Sequence, residues 1–288
     1  MRTLPALATA LCCLTLASAC SGQGKKLGAF LGDTSDRMEQ GLTEADLAKL
    51  PALTKIDVDK PLTEADYKLY GDHLQAFIVN IAANHCLNAD STKVNTLVNR
   101  YRFDVGQLVD DLKSGAKTPD DTCRFLGSIR LAVVNDLKND VLTGGSQKEF
   151  VNFWDLNESM WKEVGYPGGP PEVGEEAVRE IGITGPQAAQ IIEIWAKCGI
   201  EFSRLVNPTG APVTKDSTIF ENGPESNRAQ CEAIGMKYWN QMMAVFTPDQ
   251  TTKAWAWWNR FSDKMDNYAN RHRDELEANS HTETVHAH

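Results

Sequence analysis

The stretch "TPDQTTKAWAWWNRFSDKMDNYA", residues 247–269, decides how the chain is read. Thr247 can accept a hydrogen bond from an otherwise unpaired backbone N–H. Pro248 suits the first helical turn, where its missing N–H is not needed. Beyond them Trp255, Trp258, Phe261, Met265 and Ala269 recur at three- and four-residue intervals. That is the period of one helix face, so an amphipathic helix with a buried aromatic side is expected.

The same syntax runs through the rest of the chain. "LTEAD" occurs at 42–46 and again at 62–66. Thr43 and Thr63 can cap, Asp46 and Asp66 lie three residues on, and Leu42/Leu47 and Leu62/Tyr67 can form staples. The repeat is therefore capping chemistry and no sign of tandem domains. After Thr63, the residues Tyr67, Tyr70, Leu74, Phe77 and Ile81 make one apolar stripe. Short helices are expected around Val94 to Tyr101 and Val105 to Leu112. Thr118-Pro119 opens another, which should run to about Leu142 before Gly144-Gly145 stops it. Ser146 and Glu149 read as a capping box for the next, with Phe150, Phe153, Trp154 and Trp161 turned inward.

Thr184 and Gln187 open a helix with two faces. Ile191, Trp195, Cys198, Phe202 and Leu205 form the buried one. Gln190, Glu193, Lys197, Glu201 and Arg204 form the polar one, with Glu193 and Lys197 four residues apart and free to pair. A further helix carries Cys231, Ile234, Tyr238, Met242 and Val245. Such stripes bury against one another, so the fold class is all-α, a helical bundle. The tryptophans belong to its core, with Trp257 alone near the edge of its stripe and able to reach solvent.

"YPGGPPEVG", residues 166–174, breaks the pattern and marks the best boundary. The chain divides into a signal peptide at 1–19, a flexible tether at 20–41, an N-terminal helical half at 42–165, a linker at 166–184, a C-terminal helical half at 185–278 and a disordered tail at 279–288. The halves are weakly similar. Cys86 ends a helix before "CRFLG" at Cys123, and Cys198 lies late in a helix before "CEAIG" at Cys231. Disulfides Cys86–Cys123 and Cys198–Cys231 are expected from that parallel, among the three pairings that four cysteines allow. A zinc site would want a closer Cys-x-x-Cys spacing. The long segment 207–224 holds a small hairpin-like loop near 213–220. Its Ile219 and Phe220 are large and apolar among solvated neighbours, as interaction sites often are.

The address lies at the other end, in "LCCLTLASACSG", residues 11–22. Arg2, an apolar run too short to span a bilayer and the small residues Ala17-Ser18-Ala19 read as an export signal. Ala17-Ser18-Ala19-Cys20 resembles the lipobox of bacterial lipoproteins, with Ala17 where that motif usually has Leu. The resemblance covers residues 1–20 only. It implies that Cys20 is acylated and becomes the new N-terminus, and Ser21 after it implies sorting to the periplasmic side of the outer membrane. Without acylation the protein would be secreted. Acylation also removes the odd cysteine that the exported chain would otherwise carry.

Charge narrows the partners. The 288 residues include 29 basic and 39 acidic ones, for a formal net charge of −10. Such a chain is repelled by nucleic acid and by anionic lipid, so the membrane is met through the lipid anchor only. No phosphate loop, dinucleotide fingerprint, zinc-protease motif, nucleophile elbow or haem motif occurs, so no catalytic residue, metal or cofactor is assigned. Three polar residues do sit on apolar stripes and are candidates for a pocket: Arg130, Asn157 and His272. The leading expectation is a lipid-anchored envelope protein that binds a protein partner, an inhibitor or immunity protein fitting its makeup, with Ile219 and Phe220 at the contact. The rivals are an envelope enzyme using Arg130 and His272, and a structural or small-ligand-binding lipoprotein. A deep pocket with Arg130 and His272 converging would favour the enzyme or the small-ligand binder, and an exposed apolar loop with no pocket would favour a protein partner.

Overall fold

Four threonines set where helices begin. The hydroxyls of Thr63, Thr118, Thr184 and Thr247 each accept a backbone N–H three residues on. The side chains of Asp66, Asp121, Gln187 and Gln250 reach back to the threonine N–H. Each pair satisfies two donors that a helix start leaves open. At the other ends Gly115, Gly165 and Gly182 take the left-handed conformation, with φ of 77°, 93° and 75°, and stop their helices.

The computed structural model describes residues 44–85, 91–100, 104–210 and 228–273. Its helices are α1 (Glu44–Leu47), α2 (Glu64–His85), α3 (Ser91–Arg100), α4 (Val105–Ser114), α5 (Pro119–Asp136), α6 (Gly144–Val164), α7 (Pro170–Ile181), α8 (Gly185–Val206), α9 (Arg228–Met243) and α10 (Pro248–Arg271). A 3-10 turn, Leu53–Lys55, precedes α2, and a π-turn, Leu137–Val141, extends α5. There is no strand among the described residues. The protein is an all-α helical bundle. The hairpin expected near 213–220 lies outside the described residues.

Helix α8 runs through the middle. Ala189, Ala196 and Ile200 on one side pack with Val105, Val109 and Leu112 of α4 and with Leu53 and Ile56 beside the 3-10 turn. Ile191 and Trp195 on the other side pack with Met242 and Trp239 of α9. A Cβ on Gly185 would lie 2.5 Å from the carbonyl oxygen of Leu112, so only glycine lets α8 start this close to α4. The apolar contacts of α8 with α4 join residues from both sides of segment 166–184 in one core. That segment is also no open connection, since most of it forms α7, packed on α5 and α10.

Three local expectations change. Helix α6 starts at Gly144 rather than at the Ser146 box, and its N-cap Thr143 makes no side-chain bond. The inward face of α10 is turned by about one residue. Ala254 and Phe261 are buried, Trp257 and Trp258 are half-buried, and Trp255 is 40% exposed. The polar row of α8 is not solvated either. Glu193 pairs with Lys197 at 3.1 Å and accepts from the Tyr67 hydroxyl at 3.2 Å and from the Leu62 N–H at 3.3 Å. Farther along, Arg204 donates to the carbonyl of Ile56, and Glu201 pairs with Lys237 of α9.

The disulfides do not form as expected. No disulfide joins Cys123, Cys198 or Cys231 among the described residues, and Cys86 lies outside them. Cys198 is close enough to Tyr238 to act on its hydroxyl. Cys123 instead faces Gly174 across the contact of α5 with α7.

Candidate functional site

Helices α5 and α7 cross closely because each contributes a glycine. A Cβ on Gly127 would meet the Pro171 ring at 3.0 Å, and one on Gly174 would meet Cys123 Sγ at 3.1 Å. The crossing leaves room beside it. A cavity of ≈ 190 Å³ opens there, bounded by α5, α7, α8, α9 and α10.

The wall is almost wholly apolar. Helix α7 supplies Val173, Ala177 and Ile181, at four-residue spacing along one face. Helix α8 supplies Ala188, Ile191, Ile192 and Trp195. Trp239, Met242 and Met243 come from α9, and Ala254, Trp257 and Phe261 from α10. Ring contacts hold the indoles in place. Trp239 meets Trp255 edge-on at 5.7 Å, and Trp257 stacks on Phe261 at 5.6 Å with 6° between the planes. Such contacts fix large apolar surfaces with little freedom to collapse into the space.

Two polar groups face this space from α5, and neither is reactive. The Thr122 hydroxyl donates to the Thr118 carbonyl at 3.2 Å. The Cys123 thiol is pushed up to about 12, first by burial and then by the carboxylates of Glu175 and Asp120. It stays protonated at any physiological pH and is a poor nucleophile. A cavity of about 150 Å³ with comparable lining stays dry and takes up small apolar molecules. Among the described residues, this wall presents apolar surface and no carboxylate, histidine or lysine.

Of the residues nominated from the sequence, neither Asn157 nor His272 lines the cavity. Asn157 is half-buried and its Oδ1 accepts from Trp161 Nε1 at 3.1 Å. His272 caps α10, with Nε2 3.0 Å from Glu163 Oε2 and its ring 4.5 Å from that of Tyr268. The side chain of Arg130 lies outside the described residues, as do Cys20, Ile219 and Phe220. The site residues missed from the sequence are those of α7. The spacing of Val173, Ala177 and Ile181 was the available signal, hidden behind the prolines and glycines of 165–174.

Among the described residues no cluster of His, Cys, Asp or Glu could hold a metal ion, and no helix is long and apolar enough to cross a membrane. No family model matches the chain, and neither a curated protein nor a solved structure matches it.

Proposed function

We propose that the protein binds a small apolar ligand in the cavity among α5, α7, α8, α9 and α10, and that it does so from the cell envelope, lipid-anchored through Cys20. One observation carries the reading: a space of ≈ 190 Å³ among packed indole rings, whose wall is almost wholly apolar, with the Trp257 Nε1–H and the neutral Cys123 thiol as its unpaired polar groups. Displacing an ordered water would cost such a site little, and each buried methylene gains about 0.8 kcal/mol. His272 is engaged with Glu163 away from the cavity, so it offers no group to a molecule bound there. The anchor follows from the lipobox-like Ala17-Ser18-Ala19-Cys20 and from an apolar run that ends beside it.

The test is uptake of N-phenyl-1-naphthylamine, whose fluorescence rises in apolar surroundings. Saturable binding, displaced by dodecanol and weakened at least tenfold by Ala177→Phe, is the expected outcome. Binding unchanged by Ala177→Phe and by Val178→Phe would place the dye elsewhere and end the proposal. Metabolic labelling with a clickable fatty acid checks the anchor, with label expected on the wild type and absent from Cys20→Ala.

A further inference from the structure

The wall of the cavity has two kinds of side. Helix α7 gives it aliphatic groups, whereas α9 and α10 give it Trp239, Met242, Met243, Trp257 and Phe261, and α8 adds Trp195. Most of these rings belong to one connected cluster. Trp257 lies 5.6 Å from Phe261 and 6.4 Å from Trp258, and Trp258 lies 6.0 Å from Trp239. The planes within it meet at angles as small as 6° and as large as 67°, so stacked and edge-on contacts both occur. A ligand ring seated against Trp239, Trp257 or Phe261 extends the cluster by one member. Either arrangement adds attraction beyond what buried area alone gives. Met242 packs in a cluster with Trp195 and Trp239. A thioether beside the space is likewise attracted to the edge of a ring. An aliphatic ligand of the same size gains neither.

Size and polarity point the same way. A cavity of about 150 Å³ admits one benzene ring, so ≈ 190 Å³ suits a substituted ring or a compact fused pair. A flexible chain of equal carbon number must give up rotation about each of its bonds, and a fused ring has none to lose. An ionised ligand would be stripped of water here without a charged partner among the described lining residues. The Thr122 hydroxyl is already spent on the Thr118 carbonyl.

Resting on the reading of the cavity as a binding site, we infer that its ligand is an uncharged aromatic molecule of one or two rings, seated against Trp195, Trp239, Trp257 and Phe261. The site selects rings over chains and flat rings over saturated ones. No covalent step is involved.

Calorimetry at neutral pH with three monohydric probes tests it: 2-naphthol, decahydro-2-naphthol and 1-octanol. The first two share a fused skeleton and a hydroxyl, and only the first is flat and aromatic. 2-Naphthol should bind at least fivefold more tightly than either of the others. Trp257→Leu keeps an apolar side chain in the wall and removes a ring, so it should cut that preference at least twofold. Trp195→Leu should do the same, and it decides should Trp257→Leu fail to fold. A wild-type preference below fivefold, or one that the folded variants leave unchanged, would overturn the inference and leave the apolar site standing. Failure of all three probes to bind, or binding of all three that Ala177→Phe leaves unchanged, would overturn the underlying reading as well.

Discussion

Gln187 and Gln250 hold each other by two hydrogen bonds. Gln187 Nε2 donates to Gln250 Oε1 at 2.7 Å, and Gln250 Nε2 donates back to Gln187 Oε1 at 3.0 Å. Each is also the third residue of its helix and closes that helix's capping box. The second amide protons go to the carbonyls of Val245 and Gly182, at 3.2 Å and 2.7 Å. The two caps are thus one network that pins the start of α8 to the start of α10. Either Gln→Ala change should destabilise by about 1–2 kcal/mol, the loss of a cap plus a tertiary bond. In a double-mutant cycle followed by urea unfolding, the pair should show a coupling of about 1 kcal/mol. Strict additivity would mean that the two caps act separately.

Glu193 joins three partners that have little alternative. Tyr67 is buried, and its hydroxyl is pushed well above its ordinary value, first by burial and then by the Glu193 carboxylate. Lys197 is largely covered as well. Glu193→Ala leaves an amine, a hydroxyl and the Leu62 N–H unpaired and should destabilise by on the order of 2–4 kcal/mol. Pairing Glu193→Gln with Tyr67→Phe should recover part of that, since the orphaned hydroxyl is then gone. The midpoint of chemical unfolding reports both.

These residues show what a sequence can and cannot disclose here. The helix starts were legible because a threonine, often a following proline, and an Asp or Gln at the third position are local chemistry. Phase along a helix was harder. The row Glu193, Lys197, Glu201 and Arg204 reads as solvated, yet α2 and the 3-10 turn lie across it, and only tertiary contacts can show that. Four aromatic residues within a few positions blur the face of α10, so its spacing alone puts Trp255 inside and Trp257 at the edge. The cavity was not legible at all. Gly127 and Gly174 set the helix crossing beside it, and a glycine in a sequence does not say what it approaches.

His73 gives the fold an acid-sensitive point. It is buried, its Nε2–H donates to the Pro51 carbonyl at 2.5 Å, and burial holds its pKa below the ordinary 6.5. The unfolded chain therefore takes up the proton first. This contribution to stability is whole above about pH 6.5 and is lost as pH falls from there through the lower folded value. The urea midpoint should drop between pH 7.5 and pH 5, and His73→Gln should flatten that slope. An equal slope in the variant would assign the pH dependence to other groups.

The thiols should rank by environment. Cys198 is buried, Cys123 is pushed up to about 12, and Cys231 is raised by burial but half-exposed. Iodoacetamide at pH 8 should label Cys231 first in the native protein, with Cys123 and Cys198 reacting only on unfolding. Peptide mapping without reductant should find these three as thiols. A Cys198–Cys231 bridge found there would contradict the described arrangement of these cysteines.

On the proposed function, the space among α5, α7, α8, α9 and α10 takes an apolar molecule. Three tryptophans in its wall make that directly readable. Bromine quenches indole fluorescence at short range, so 11-bromoundecanol should quench saturably, and undecanol without bromine should bind without quenching. The quench should fall when Trp257 is replaced by Phe, which keeps the ring contact with Phe261 but removes one reporter. Quenching that rises linearly with probe concentration, with no saturation and no change in Trp257→Phe, would mean that nothing enters the cavity.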